Sequence, residues 1–159
     1  MPKKPRAGQG KVSGKRSATV SLAPYEVELT KSAELVYADL YHRAVDAESK
    51  GDPTNSVCTT FRMVRDAIKN IIPSDPTNKR YALAGELSNI FRLHKGRLRI
   101  CWIASSAQRK VCILFISETL RKEGDVNDPY RVFSKRLAAG EFDELFSRMG
   151  VRRPPRLSP

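Results

Sequence analysis

Six consecutive apolar residues, Val111 to Ile116 in the segment RKVCILFIS, constrain the fold of this chain more than any other feature. A run this short and this apolar reads as a strand, and it belongs at the centre of a sheet. Two alternating segments precede it, ELSNIFRLH from Glu86 and RLRICWIA from Arg97, and both read as strands. Near the start, Tyr25, Val27 and Leu29 alternate with Glu26 and Glu28, which predicts a half-buried strand that Pro24 places at an edge or a strand start.

Between these strands the period becomes helical. Val36, Leu40 and Ala44, flanked by Tyr37 and Tyr41, form a stripe that stops at Gly51. A second stripe of Val57, Phe61, Val64, Ile68 and Ile71 follows, with Asp52 read as N-cap, Pro53 as first helical residue and Pro73 as stop. After the apolar strand, Asp128 and Pro129 open another helix that Gly140 ends, and Phe142, Leu145, Phe146 and Met149 share one face of a last one. The order predicts an α+β fold: an antiparallel sheet of about four strands with helices packed on one side, two N-terminal helices on that face and C-terminal helices closing the chain. At 159 residues there is room for one domain with a real core, expected over 20–149. The segments 1–19 and 150–159 are rich in Lys, Arg, Gly, Ser and Pro and are expected to be disordered basic tails.

The net charge of +12 is segregated: residues 1–18 and 148–159 together carry +10, residues 79–110 carry +7, and the remainder is acidic at −5. Segregation points to a polyanionic partner more strongly than the total does. The tails raise nonspecific affinity for nucleic acid or are merely solvated. The basic centre is RLHKGRLR, Arg92 to Arg99. A two-residue turn at Lys95 and Gly96 would set His94 opposite Arg97, Leu93 opposite Leu98, Arg92 opposite Arg99 and Phe91 opposite Ile100. One face of the hairpin would then be apolar, and the other would carry Arg92, His94, Arg97 and Arg99. Like charges directly opposite each other cost roughly 0.2–1 kcal/mol per pair. A phosphate group would offset that cost, because guanidinium forks bind its oxygens bidentately and stabilise the added charge of a phosphoryl transition state. The alternative is a face turned to water, where salt screens the repulsion.

Other chemistries find little support. The two histidines, His42 and His94, lie in different elements, and Cys58, Cys101 and Cys112 match neither a zinc site nor a disulfide framework. Cys101 reads as a small packing residue, and no glycine-rich phosphate loop is present. No cofactor is expected, so any catalysis runs on basic and hydrogen-bonding side chains. The odd cysteine count, the lack of an apolar run able to span a bilayer and the lack of a secretory signal lead to the expectation of a cytoplasmic protein with no membrane partner.

The block NIFRLHKGRLRICW, with the apolar strand and helix that follow, resembles the RelE/ParE superfamily of bacterial toxins. The segment ETLRKEGDVNDPYRVFSKRL is similar more specifically to the YhaV branch. The resemblance implies a RelE-like fold and a metal-independent endoribonuclease, the toxin of a type II toxin–antitoxin system. Such a toxin cuts mRNA, on or off the ribosome, through attack of a 2′-hydroxyl on the adjacent phosphate, and a cognate antitoxin neutralises it. Arg92 and Arg99 match the basic residues of the two active strands, and Arg97 the branch's additional arginine after the glycine. Arg121 and Tyr130 match the C-terminal arginine and tyrosine, the latter orienting or stacking on a base. With His94 these form the expected catalytic set; Arg97, Lys95, Lys79, Arg80 and Lys135 are the expected RNA-binding residues. Some relatives carry Lys where this chain has Arg92, a poorer proton acceptor, so His94 and Glu118 are the candidates for the base. Two rival functions remain compatible with the basic face: a ParE-like toxin that poisons gyrase, and a noncatalytic RNA-binding module.

Overall fold

The computed structural model describes residues 23–119 and 125–155. Four strands form one sheet in the order β1-β4-β3-β2, with β1 Glu26–Leu29, β2 Phe91–Lys95, β3 Leu98–Ser105 and β4 Lys110–Ser117. The apolar run lies in β4, between β1 and β3, and every residue from Val111 to Ile116 is buried. β2, β3 and β4 pair antiparallel, whereas β1 runs parallel to β4, Glu26 opposite Lys110 through to Leu29 opposite Ile113. The sheet is therefore mixed, though mostly antiparallel. A parallel neighbour needs a long crossover, and the helices between β1 and β2 supply it.

Helices cover both faces rather than the single one expected. α1 (Lys31–Ser49) and α2 (Ser56–Asp66) bury Leu40, Phe61 and Val64 against Ile100, Trp102 and Ile113. On the other face α4 (Pro129–Ala138) and α5 (Asp143–Met149), with Phe142 just ahead of α5, set Phe133, Leu137, Phe142 and Phe146 against Cys101, Ile103, Cys112 and Leu114. The reason is β4 itself, whose apolar run offers no side chain that could face water on either side. A β-bulge adjusts the fit: Cys101 pairs with Phe115 but Trp102 with Ile113, so Leu114 and Phe115 both join the core under α4.

Local details differ from the expected boundaries. Asn55, not Asp52, caps α2, its side chain accepting from the Val57 N–H at 2.9 Å. Pro73 does not stop that helix outright: a π-helical stretch, Ala67–Ile71, leads into a one-turn helix α3 (Ile72–Ser74) that contains it. The wider turn accommodates a proline that cannot donate in the α ladder. The strand expected from Glu86 is shorter and begins at Phe91, after a 3₁₀ turn at Gly85–Leu87. At the C-terminus, packing continues past residue 150: Arg153 pairs with Asp143 at 2.9 Å and Asn89 donates to the Arg152 carbonyl at 2.8 Å. The expected N-terminal tail lies outside the described residues.

The β2–β3 turn also sits one residue later than expected. Lys95 pairs with Leu98, His94 with Arg99, Leu93 with Ile100 and Arg92 with Cys101, leaving Gly96 and Arg97 as the loop. Gly96 has φ +59° and Arg97 is not in the left-handed region, the signature of a type II′ turn with glycine in its first position. The expected facing pair of Arg92 and Arg99 is thus replaced by a diagonal one. The pairing moved by two positions in total, an even number, so each side chain kept its face. A Cβ at position 96 would meet nothing within 4 Å, so Gly96→Ala tests backbone strain alone. It should lower stability by about 1 kcal/mol, read as a lower urea midpoint.

Candidate active site

The C-terminal part of the site is set by a helix cap. The Asp128 carboxylate accepts from the Tyr130 N–H at 2.9 Å, Pro129 takes the first helical position, and Tyr130 is thereby fixed in the first turn of α4. From the strands, Arg92 on β2 and Arg99 on β3 reach the same ring. Arg92 Nη1 donates to the Tyr130 hydroxyl at 2.5 Å, and its Cζ lies 5.2 Å from the ring centroid. The Arg99 Cζ lies 5.4 Å from that centroid. One aromatic ring therefore holds two guanidinium groups, each contact contributing about 0.5–2 kcal/mol.

Arg99 is only 5% exposed. Its Nη1 donates to the carbonyls of Arg97 at 3.3 Å and Thr119 at 3.2 Å, while its Nε is buried without any partner. Among the described residues no carboxylate pairs with Arg92 or Arg99. A cation buried against carbonyl dipoles alone is costly, and an incoming anion would supply what the fold leaves out. Ser117 stands opposite Arg99 on β4, with its hydroxyl accepting from the Thr119 N–H at 3.2 Å, and so shapes the turn that brings the Thr119 carbonyl to Arg99. Cys101 is opposite Arg92 and fully covered; burial pushes its thiol up to about 12 against the pull of Arg92 and Arg99. It is a neutral packing group, in keeping with the sequence reading.

The remaining expected residues spread out from this centre. His94 is exposed, faces Arg99 across the hairpin and donates from Nε2 to the Gly96 carbonyl at 3.0 Å, which leaves the lone pair of the neutral ring on Nδ1. Arg97 is exposed on the turn. Lys95 pairs with Leu98 and so alternates onto the opposite face from Arg92. Arg80 lies 4.6 Å from the Tyr81 ring and donates to its hydroxyl, in the 3₁₀ turn Lys79–Tyr81 that also carries Lys79; Tyr81 packs edge-on against Trp102 in the core beneath α1 and α2. Lys135 is on the exposed side of α4. Arg121 lies outside the described residues. Glu118 is ion-paired with Arg43, which also binds Asp39 at 2.8 Å; the Glu118 hydrogen bond foremost holds the Arg43 guanidinium above its ordinary range. No sequence pattern points to that pair, because its members are 75 residues apart. The Thr119 carbonyl was equally invisible, since a backbone acceptor carries no residue-type signal. Among the described residues, no group of three His, Cys, Asp or Glu side chains comes together, and no helix is long and apolar enough to cross a membrane.

A family model described as a toxin with endonuclease activity, of a toxin–antitoxin system, matches residues 31–150. The chain belongs to this family, the YhaV toxins. The matched span runs from α1 to the end of α5 and contains Arg92, Arg99 and Tyr130. This YhaV-family protein is accordingly a toxin with endonuclease activity, and an antitoxin is the other component of its system. A solved chain from the toxin–antitoxin complex RelBE2 of Mycobacterium tuberculosis is similar at 20% identity, over 60% of this chain and 98% of that one, with a TM-score of 0.43. No curated protein sequence matches significantly.

The uncompensated burial of Arg99 makes a stability prediction. Arg99→Met, which keeps the length and removes the charge, should leave the urea midpoint unchanged or raise it, by up to about 1–4 kcal/mol. A clear loss of stability would show that Arg99 serves the core rather than an anion.

Proposed function

We propose that this toxin is a metal-independent endoribonuclease that cuts mRNA, with Arg92 and Arg99 seating the scissile phosphate. The burial of Arg99 beside Tyr130, with an unpartnered Nε and no carboxylate on it among the described residues, carries this reading: the protein bears the cost of a desolvated cation where an anion would complete it. Catalysis follows from where charge develops. As the 2′-oxygen bonds to phosphorus and the 5′-oxygen departs, the equatorial oxygens gain negative charge, and preorganised guanidinium groups in a poorly solvated site stabilise it. The nucleophile comes with the substrate, so the protein needs only to align, stabilise and move protons. His94 Nδ1 is assigned to accept the 2′-hydroxyl proton, because Glu118 is held by Arg43. Bond making at the 2′-oxygen and breaking at the 5′-oxygen, which takes up a proton from solvent water as it leaves, gives a 2′,3′-cyclic phosphate and a 5′-hydroxyl end.

Tyr130 keeps the two cations at working separation, and its bond from Arg92 fixes the first of them. Lys79, Arg80, Lys95, Arg97, Lys135 and the basic tails extend the favourable potential for a strand of RNA. The face that carries Arg92 and Arg99 is the natural dock for an acidic segment of the antitoxin, which would cover the phosphate seat with its own carboxylates.

Purified protein incubated with mRNA in excess chelator, with and without ribosomes, tests the reading. Cleavage should persist, leave cyclic phosphate ends and vanish when the nucleotide at the cut is 2′-deoxy. Arg92→Ala should slow it by about 100-fold or more with an unchanged circular dichroism spectrum. Tyr130→Phe, which keeps the ring and removes the hydroxyl that Arg92 binds, should slow it by about tenfold. Cutting of a 2′-deoxy substrate at the wild-type rate would sink the mechanism, and binding without cleavage in every condition would leave an RNA-binding module.

A further inference from the structure

Beyond the arginine pair, the same end of the sheet carries a second concavity. A cavity of about 490 Å³ opens between α1, the first turn of α2, the β2–β3 turn and the end of β4, lined by Arg43, Ser56, Val57, Thr60, Arg97 and Glu118. We propose that it is a base-reading subsite for a nucleotide flanking the cut, one that favours bases bearing an exocyclic amino group over uracil; this rests on the ribonuclease reading above.

Four observations support the assignment. The cavity is of ligand-binding size, within the roughly 300–1,000 Å³ of small-molecule sites. It joins the phosphate seat through one residue: Arg97 lines the cavity, and its carbonyl accepts from Arg99 Nη1 at 3.3 Å. A nucleotide chain seated on Arg99 thus has a continuous path around the sheet end. The Arg97 guanidinium makes no hydrogen bond or ion pair among the described residues, although the Glu118 carboxylate lines the same cavity. Arg97 is left to a phosphate or ribose oxygen.

The fourth observation is the carboxylate itself. A negative group is the wrong choice for a phosphate but the right one for the N–H groups of a base. Arg43 engages Glu118 through Oε1, and Asp39 holds Arg43 from its other side at 2.8 Å, so the carboxylate is anchored at one oxygen and Oε2 has no partner among the described residues. An ionised carboxylate only accepts hydrogen bonds. Adenine, cytosine and guanine each present an amino group to it, whereas uracil places carbonyl oxygens beside its single N–H. Ser56 and Thr60 add hydroxyls that serve either role, and Val57 provides an apolar surface for the base. With two arginines and one glutamate the lining retains one net positive charge, which suits a nucleotide and its phosphate.

Sequencing the cuts made by the full-length protein in a random RNA pool tests this. Wild-type protein should disfavour uracil at one position flanking the cut by about tenfold. Glu118→Gln, which can donate as well as accept, should erase that bias while cutting continues. Thr60→Val, which leaves the Arg43–Glu118 pair in place, should raise KM several-fold with kcat kept, and it stands in if the glutamine variant fails to fold. A wild-type profile without bias against uracil, or variants with unchanged profile and KM, would overturn the subsite; if Arg92→Ala still slows cutting by about 100-fold or more, the ribonuclease reading survives that outcome. If wild-type protein cuts no RNA, binding of 2′-O-methyl RNAs that differ at one base decides. A tenfold preference against uracil that Glu118→Gln removes keeps the subsite and ends the ribonuclease reading, and no preference ends both.

Discussion

The whole arrangement depends on one strand that cannot meet water on either face. β4 is apolar from Val111 to Ile116, so one side must be closed by α1 and α2 and the other by α4 and α5. Burial of large apolar side chains contributes roughly 1.5–3 kcal/mol each, and this strand with its neighbours concentrates many of them. Closing the second face has a chemical consequence. It draws α4 across the surface from which Arg92 and Arg99 project, and the capped first turn of that helix delivers Tyr130 between them. The site is produced by the same packing that closes the core.

Two like charges on adjacent strands would normally be kept apart or neutralised. Here they share the ring of Tyr130, Arg99 donates in addition to two backbone carbonyls, and neither meets a carboxylate among the described residues. That solution holds the guanidinium groups still while leaving their charge unsatisfied. Strain of this kind is characteristic of sites built for a ligand, with the stability lost there recovered in the core. The carboxylate available nearby, Glu118, is tied to Arg43 on the α1–α2 side, which keeps it from neutralising the arginine pair.

Much of this was legible in the residues themselves. The periodicities located all four strands and the main helices, the Asp128–Pro129 cap was read at its true position, and the central place of β4 followed from its composition. The polarity of the hairpin faces was also legible, and it survived an error in register because the slip was even. What misled was turn chemistry: a glycine in the first rather than the second loop position moves the turn by one residue and turns Arg92 from Arg99 toward Cys101. The parallel direction of β1 and the helices on the second face were missed for a different reason, since neither leaves a mark in local periodicity.

The sequence by itself determined which segments are strands and helices, which side of the hairpin is basic, and that the chain carries the motifs of a YhaV toxin. These are properties of neighbouring residues, governed by backbone preference and side-chain alternation. Only the tertiary structure decided that Tyr130 would stand against Arg92 from 38 positions away, that Arg43 would claim Glu118 from 75, and that Arg99 would be buried without a counter-charge among the described residues. Such pairings follow from how the two helical layers pack on one shared sheet, and the free energy of that packing is spread over the whole core rather than encoded at either partner.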